Sequence, residues 1–140
     1  MAACSIKPTV ATDRIAQFLA TQKFAVVGAS ADPSKIGNSV LLKYKQANKH
    51  VVPVNPKAPE IEGLVCVTSL SQLTEPSRYS VSVITPPAVS EGIIQDAINL
   101  GIKNVWLQPG AESAKAIQLA EQANINLIHG GPCVLRLSSL

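Results

Sequence analysis

The feature that most constrains the fold is a short apolar run that stops at a glycine. Phe24 to Val27 is rich in β-branched residues, which predicts a strand buried on both faces, as in the middle of a parallel sheet. Gly28 ends the run, Asp32-Pro33 makes a turn, and Gly37-Asn38-Ser39 leads into a helical pattern. A strand, a glycine-bearing loop and a helix start form a layout that suits a phosphate, because glycine lets the backbone approach and the helix start favours an anion.

The glycine spacing gives only weak support to this interpretation. The fingerprint of dinucleotide-binding loops is G-x-G-x-x-G, whereas here Gly28 is followed by no further glycine until Gly37. The alternative is an ordinary strand-to-helix loop without a ligand. Residues elsewhere in the chain are needed to distinguish it from a phosphate-binding loop.

Strand and helix patterns alternate along the rest of the chain. Helical spacing of apolar residues predicts helices over residues 9–21, with Thr9 or Thr12 as the cap, and over 39–48, 88–100 and 112–123. Short apolar runs that end at glycine or proline predict strands over residues 24–27, 50–55, 79–85, 104–107 and 126–129. Residues 62–67 predict a turn with a short extended piece, and residues 69–73 allow one helical turn at most.

This alternation predicts an α/β fold of the Rossmann-like, doubly wound type. We expect one domain over residues 1–140, with a parallel five-stranded sheet in the order 3-2-1-4-5, helices on both faces and residues 1–22 as an N-terminal extension. Ligands of such sheets bind at the carboxyl ends of the strands. The loops predicted at that rim are unusual in sequence: Gly28-Ala29-Ser30, Asn55-Pro56-Lys57, Thr85-Pro86-Pro87, Gln108-Pro109-Gly110 and Gly130-Gly131-Pro132-Cys133.

Composition and charge exclude several classes of protein. Hydrophobic residues make up 46% and charged residues 15% of the 140, which is a globular composition, and no apolar run approaches the roughly 20 residues that span a bilayer. A net charge of +3, scattered along the chain with five aromatic residues, suits a phosphorylated small ligand and argues against nucleic acid. The sequence thus predicts neither a nucleic-acid nor a membrane partner, and it leaves the oligomeric state open.

The three cysteines predict a reducing compartment. Cys4, Cys66 and Cys133 are odd in number and lack paired spacing, so neither a disulfide framework nor a metal motif follows. The N-terminus also lacks the charged-then-apolar order of a secretory signal. We expect a cytoplasmic protein, with a mitochondrial location left open.

The end of the second predicted strand indicates which nucleotides fit. An NAD-binding unit places Asp or Glu there to accept the ribose hydroxyls. This chain has Asn55 and Lys57 instead, with no carboxylate until Glu60. A cation at this position suits a phosphate on the adenosine ribose, which coenzyme A carries at the 3′ position and NADP at the 2′ position. The residues alone do not distinguish between these two cofactors.

The sequence motifs at the strand ends favour coenzyme A over NADP, because of the family that they resemble. Gly28-Ala29-Ser30, Val52-Pro53-Val54-Asn55-Pro56-Lys57, Thr85-Pro86-Pro87 and Val105-Trp106-Leu107-Gln108-Pro109-Gly110 resemble the small stand-alone CoA-binding proteins, which are similar to the nucleotide-binding domain of the succinyl-CoA synthetase α subunit. The likeness covers about residues 23–133. It implies a Rossmann-like domain that binds coenzyme A or an acyl-CoA over the strand ends.

The resemblance also implies a set of binding residues. The 28–37 loop would hold the pyrophosphate, Asn55 and Lys57 would lie at the adenosine-phosphate end, and Thr85-Pro86-Pro87 would lie under the adenine or ribose. The candidate cofactor-binding residues are Gly28, Ala29, Ser30, Lys35, Gly37, Asn38, Asn55, Pro56, Lys57, Thr85, Pro86, Pro87, Gln108, Pro109 and Gly110. No metal site is implied.

The chain departs from the family where chemistry could reside. The family usually has an Asp-Arg-Cys-like sequence after the last strand, and here Gly131-Pro132-Cys133 keeps only the cysteine. We find no nucleophile–base–acid set, and His50 and His129 lie far apart in the chain. The main interpretation is a binding module without evident catalysis, and the alternative is an NADP-dependent or thiol-exchange enzyme that uses Cys133.

Overall fold

The computed structural model describes residues 10–138 and residue 140. The helices are α1 (Val10–Ala20), α2 (Ile36–Gln46), α3 (Pro87–Asn99) and α4 (Ala114–Gln122). The strands are β1 (Lys23–Val27), β2 (His50–Val54), β3 (Glu60–Ile61), β4 (Leu64–Val65), β5 (Tyr79–Val83), β6 (Asn104–Leu107) and β7 (Asn126–Ile128). Short 3₁₀ turns cover Leu70–Gln72, Pro76–Arg78 and Val134–Arg136. Of the two predicted caps, Thr12 lies inside α1 and is not its cap residue, and Thr9 lies outside the described residues.

Five of these strands form one parallel sheet, which confirms the predicted α/β class. The order is β2-β1-β5-β6-β7, with all four neighbouring pairs parallel. Lys23 is in register with His50 on one side and with Tyr79 on the other, so β2, β1 and β5 start and end level. Because the strands are parallel, the loops after β1, β2, β5, β6 and β7 all lie at one rim of the sheet.

The predicted strand order 3-2-1-4-5 is wrong, because the third strand of the sheet pairs with β1 and not with the outer side of β2. Numbered along the sheet strands alone, the observed order is 2-1-3-4-5. The cause lies in Pro53, whose carbonyl accepts from the N–H of Val67 on the outer side of β2. The missing N–H of Pro53 faces that same side, and a strand of this kind belongs at a sheet edge.

The connection from β2 to β5 contains no long helix. It forms the β3–β4 hairpin and two 3₁₀ turns, and Val67 makes a single parallel bridge to Val54 that covers the outer edge of β2. β5 then enters the centre of the sheet, where all five of its residues are buried. A doubly wound sheet of this order places its topological switch point between β1 and β5.

Helices pack on both faces and form two hydrophobic cores. On one face, α1 and α2 contribute Phe18 and Tyr44, which pack with Phe24 and Trp106 from the sheet. Phe24 stacks on Tyr44 at 4.8 Å between ring centroids. On the other face, α3 and α4 bury side chains such as Ile94 and Ala116 against the sheet. Neither face of the sheet is left to solvent, which explains the continuous apolar runs in β1 and β6.

Two helices differ in detail from the prediction. α2 begins at Ile36, three residues before the predicted start, so the helix N-terminus lies directly against the glycine loop. In α3, helical spacing alone would group Val89, Ile93, Ala97 and Ile98 on one inward face. The buried residues are instead Ser90, Ile94 and Ala97, and Val89 is 50% exposed. The helix starts at Pro87, and this fixes the rotation of its first turn.

No helix among the described residues is long and apolar enough to cross a membrane.

Candidate functional site

The loop after β1 packs against the end of β5 and the start of α2. Gly28 has a φ of +92°, and a Cβ atom there would lie 2.1 Å from the carbonyl oxygen of Ile84. A Cβ atom on Gly37 would lie 2.0 Å from the carbonyl oxygen of Gly28. Both glycines are therefore required by backbone packing within the protein. Ile84 fills the space that a Gly28 side chain would need, so packing within the protein is sufficient to require this glycine, and its role toward a phosphate stays a prediction.

The N-terminus of α2 faces the rim without a side-chain cap. Lys35 stands at the cap position in an extended conformation, and its side chain makes no capping hydrogen bond. The first N–H groups of a helix lack partners within the helix, so those of Ile36 and Gly37 are suited to an anion at the rim. Gly37 is buried and Ile36 is 53% exposed, which leaves the helix start half open to solvent.

Asn38 connects the glycine loop to the β3–β4 hairpin. Its side chain is 1% exposed, and its Nδ2 donates to the Ser30 carbonyl and to Oε2 of Glu62, both at 2.9 Å. Glu62 occupies the hairpin turn with a φ of +52°. The predicted binding residue Asn38 thus has a structural role, because both hydrogens of its amide are already used.

Residues 30–35 form a compact turn built on Asp32. Its Oδ1 accepts from the N–H and the hydroxyl of Ser34, at 2.9 and 2.8 Å, and the Ser30 hydroxyl accepts from the Asp32 N–H. These hydrogen bonds from Ser34, together with the charge of Lys35, lower the pKa of the exposed Asp32 carboxyl below its usual value. The carboxylate is therefore ionised at neutral pH, and its charge opposes an anion that the neighbouring Lys35 would attract.

Asn55 joins the loops after β1 and β2. Its Nδ2 donates to the Ala29 carbonyl at 3.0 Å, and its Oδ1 accepts from the N–H groups of Lys57 and Ala58 at 2.8 and 2.9 Å. The side chain is half-buried, while Pro56 and Lys57 are exposed. Asn55 therefore holds the turn in shape, and Lys57 extends from that turn into solvent at the rim.

Thr85 lies between two cavities at the rim. The first, of about 280 Å³, is enclosed by the ends of β1 and β2, by residues 68–70 and by the first turns of α3. Its walls are mostly apolar: Val27, Val54, Pro56, Leu70, Val89 and Ile93. The second, of about 230 Å³, is lined by residues 84–86 and 109–111. Thr85 itself is fixed by a 2.7 Å hydrogen bond between its hydroxyl and that of Ser90.

The loops after β6 and β7 are tied to each other through Glu112. Its Oε1 accepts from the N–H of Gly110 at 2.9 Å, and its Oε2 accepts from the N–H of Gly130 at 3.5 Å. Close by, the Ser113 hydroxyl caps α4 by accepting from the N–H of Ala116. Pro109 and Gly110 thus lie beside Thr85 and Pro86, as expected for loops at one rim, while Pro87 is the first residue of α3 and lines neither cavity.

The segment after β7, residues 130–137, crosses the end of β6 and packs on α2. We name it the C-terminal strap. The Trp106 Nε1 donates to the Pro132 carbonyl at 2.9 Å, and the Lys43 Nζ donates to the Leu137 carbonyl. Beneath the strap, Gln108 is 1% exposed and its Oε1 accepts from the N–H of Val134 at 3.1 Å. Its Nε2 is buried and has no hydrogen-bond partner among the described residues.

Cys133 lies in this strap and is half-exposed. On the adjacent α2 face, the hydroxyl of the buried Tyr44 lies 2.8 Å from that of Ser82. Burial raises the pKa of Tyr44, the hydrogen bond from Ser82 opposes this, and the charge of a Cys133 thiolate would raise the pKa further. Cys133 is thus within electrostatic range of Tyr44, but the described residues around it do not form a nucleophile–base pair.

The described residues also contain no group of three or more His, Cys, Asp or Glu side chains that could hold a metal ion. What the rim offers is an open helix start, exposed cations and two cavities on either side of Thr85. Fold and rim together define a doubly wound α/β domain of the nucleotide-binding class.

The chain belongs to the CoA binding domain family, whose profile matches residues 22–137. Among curated proteins, it is 27% identical over 113 residues to an ADP-forming acetate–CoA ligase of Archaeoglobus fulgidus, and the match covers 74% of this chain and 16% of the ligase. It is 25% identical over 108 residues to an uncharacterized Bacillus subtilis protein, YneT, with 77% of this chain and 79% of that protein covered. The resemblance to stand-alone CoA-binding proteins is thereby confirmed.

Solved structures agree with this assignment. A conserved hypothetical protein from Pyrococcus furiosus superposes with a TM-score of 0.76 at 36% identity, over 81% of this chain and 97% of that one. A hypothetical protein from Pyrococcus horikoshii gives a TM-score of 0.81 at 27% identity, over 94% and 93%. The dinucleotide-forming acetyl-coenzyme A synthetase 1 of Ca. Korarchaeum cryptofilum, solved with phosphate and ADP, gives 0.67 at 28% identity, over 77% of this chain and 25% of that one.

Sequence reasoning missed the residues that complete the rim from outside the strand ends. The 280 Å³ cavity includes Thr68, Ser69 and Leu70 from the long β2–β5 connection, and no periodicity signals where such a connection will pack. Glu62 was also missed as a partner of Asn38. The turn predicted from residue 62 is present as the Glu62-Gly63 turn of the β3–β4 hairpin, but no local pattern indicates that it contacts Asn38.

Proposed function

We propose that this protein binds coenzyme A or an acyl-CoA along the carboxyl ends of β1, β2, β5 and β6. The observation that carries the proposal is the convergence of the predicted strand-end loops on one rim, in a chain of the CoA binding domain family. Asn55 joins the first two loops, Gly28 packs on the third, and the 230 Å³ cavity lies between the third and the fourth.

The phosphates of the ligand fit the side of β1. The uncapped start of α2 offers N–H groups and the positive end of the helix dipole, and Lys35 adds a charge next to them. Lys57 stands at the end of β2, one strand further toward the sheet edge. A pyrophosphate over the 28–37 loop and a ribose phosphate near Lys57 would place the nucleoside at the 280 Å³ cavity, which extends from Pro56, beside Lys57, to Thr85.

The apolar groups of the ligand fit the two cavities. An adenine or ribose against Thr85 and Pro86 would have the 280 Å³ cavity on one side, where Leu70, Val89 and Ile93 supply apolar contacts. The pantetheine arm would run in the opposite direction, past Pro109 and Gly110 toward β6 and β7. The exposed Val89 would be partly covered by such a ligand, which accounts for an apolar side chain at an open rim.

A ligand series tests the proposal. Titration calorimetry with CoA, acetyl-CoA, NADP and NAD should give binding of the CoA compounds and no binding of NAD, because no carboxylate follows β2. Thermal shifts provide a second readout, since a ligand at 100 times its Kd adds about 2.7 kcal/mol of stability. Binding of NADP in preference to CoA would support the NADP-dependent alternative. Absence of binding to every CoA compound by a folded sample would overturn the proposal.

A lysine pair tests the orientation of the ligand. Lys57→Ala should weaken the binding of CoA roughly tenfold and leave the binding of dephospho-CoA unchanged, because the lost contact is a charge-assisted hydrogen bond to the ribose phosphate. Lys103→Ala is the matched control: Lys103 is equally exposed but precedes β6 at the opposite end of the sheet, so its loss should affect neither ligand. Equal weakening of CoA and dephospho-CoA by Lys57→Ala would show that the phosphate lies elsewhere.

A further inference from the structure

Gln108 presents a buried hydrogen-bond donor that no residue in the described part of the chain uses. Its side-chain amide is 1% exposed, and no described atom accepts from Nε2, the Sγ of the nearby Cys133 included. A buried polar group without a partner costs on the order of 1–3 kcal/mol, so proteins seldom keep one without a reason. Gln108 is therefore a position where an acceptor from outside the chain would be stabilising.

The orientation of the amide is determined by the strap above it. Oε1 accepts from the N–H of Val134 at 3.1 Å, and the reverse orientation would set two N–H donors against each other. The Trp106 Nε1 is already used by the Pro132 carbonyl, so Trp106 cannot exchange partners with Gln108. The missing partner of Nε2 must be an acceptor: a carbonyl or other oxygen, or a water molecule.

The position of Gln108 matches the sulfur end of the proposed ligand. Gln108 follows the Val83–Leu107 pair and so lies beside Ile84, and Ile84, Pro109 and Gly110 line the 230 Å³ cavity. Two strand spacings, about 10 Å, separate the end of β1 from the end of β6. A pantetheine arm that starts at the pyrophosphate over β1 is long enough to cover this distance.

The first two residues of the strap, Gly130 and Gly131, are exposed and have free space around them. Gly130 and Gly131 have φ angles of +83° and +129°, and a Cβ atom on either would meet nothing within 4 Å. Pro132 and Cys133, which follow them, are half-exposed. Nε2 lies beneath the strap, so a ligand can reach it only if residues 130–133 shift on binding, with loss of the Trp106–Pro132 hydrogen bond.

We propose that Gln108 recognises the thioester carbonyl of an acyl-CoA, by donating from Nε2 to the carbonyl oxygen. The preferred ligand is then an acyl-CoA and not free CoA, whose thiol offers only a weak acceptor. This inference rests on the proposed function, and it names the ligand class of the same site. Gln108 is a specificity-determining residue in this view, and no chemical step is assigned to it.

Three ligands that differ only at the sulfur test the inference. Calorimetric Kd values are measured for CoA, acetyl-CoA and S-ethyl-CoA, a thioether of similar size that lacks the carbonyl oxygen. The wild-type protein should bind acetyl-CoA about tenfold more tightly than S-ethyl-CoA, as expected for one hydrogen bond to an otherwise unpaired buried donor. This comparison requires no variant and so does not depend on whether a substitution folds.

A substitution then assigns the preference to Gln108. Gln108→Met keeps a similar volume without the donor, and it should reduce the ratio between acetyl-CoA and S-ethyl-CoA to about one. Gln95→Met is the control, because Gln95 is exposed on α3, away from both cavities, and its amide donates to Oδ1 of Asn99. Equal wild-type affinity for all three ligands would overturn the inference, with a water molecule as the partner of Nε2, while leaving the proposed function intact. Absence of binding to all three would overturn both.

Discussion

Replacing Asn55 with alanine should loosen two loops of the rim at once. The side chain makes three hydrogen bonds, one to the Ala29 carbonyl and two from the N–H groups of Lys57 and Ala58. Each such bond contributes roughly 0.5–1.5 kcal/mol net, which sums to about 1.5–4.5 kcal/mol. Asn55 is only half-buried, so water can replace it in part, and we expect about 2 kcal/mol of lost stability.

This loss is large enough to measure and small enough to leave the protein folded. Urea denaturation should show a midpoint lower by about 1 M with an unchanged slope, and the melting temperature should fall by roughly 6–10 °C. Asn99→Ala is the control, since Asn99 is exposed on α3 and accepts a single 3.3 Å bond from Gln95. Its effect should stay within about 0.5 kcal/mol.

Asn55→Ala should also weaken the binding of CoA, because the ligand must then order the loops that Asn55 holds in place in the wild-type protein. Ordering one or two flexible segments costs about 0.5–1.5 kcal/mol, which corresponds to roughly 2–10-fold in Kd. Calorimetry at a temperature well below the melting point of the variant measures this effect. If Asn55→Ala behaves like Asn99→Ala in both assays, Asn55 does not organise the rim and the reasoning is refuted.

Three further predictions concern other residues of the rim. Asp32→Asn keeps the acceptor for Ser34 and removes a negative charge, so CoA should bind about 2–5-fold more tightly at low salt and the gain should be smaller at high salt. A change in affinity that does not depend on salt would contradict the electrostatic cause. Gly28→Ala should destabilise strongly, because its Cβ atom would meet the Ile84 carbonyl, while Gly92→Ala in open helix surface should stabilise by roughly 0.5–1 kcal/mol; comparable urea midpoints for the two would be inconsistent with this packing. CoA disulfide should modify Cys133 in preference to Cys66, through attack of the Cys133 thiolate with release of one CoA thiolate, because burial and the Glu60 charge raise the pKa of the Cys66 thiol. Intact mass and peptide mapping check this, Cys133→Ser is the control, and an adduct mainly on Cys66 would count against it.

The sequence predicts those parts of the fold that depend on local patterns, and it fails for those that depend on contacts between residues far apart in the chain. The strands were found because burial on both faces produces apolar runs such as 24–27 and 104–107, which are local patterns. The strand order was missed because it depends on where a 24-residue connection without a long helix delivers β5. Pro53 carried the necessary information, since a proline inside a strand indicates an edge, but it was interpreted only as part of a motif.

The candidate site shows the same division. The residue types at the strand ends could be located from glycine, proline and asparagine, which have local conformational reasons to be there. What each side chain does could not be predicted, because Asn38, Asn55 and Gln108 have partners 8 to 26 residues away in the chain. Asn38 and Asn55 hold the loops together, and Gln108 keeps a donor that has no partner within residues 10–138.

The corrected strand order changes where a ligand should be centred. With the order 3-2-1-4-5, the crevice at the switch point would lie between the Gly28 loop and the Gln108 loop. With β5 beside β1, the crevice lies between Gly28 and residues 84–85, and Gln108 moves one strand further out. The two cavities agree with this arrangement, because both include Thr85 and they extend from it in opposite directions. The proposed ligand would then have its phosphates over β1, its nucleoside toward β2 and its acyl end toward β6. Lys57 would bind the ribose phosphate at one end, and Gln108 would donate to the thioester carbonyl at the other.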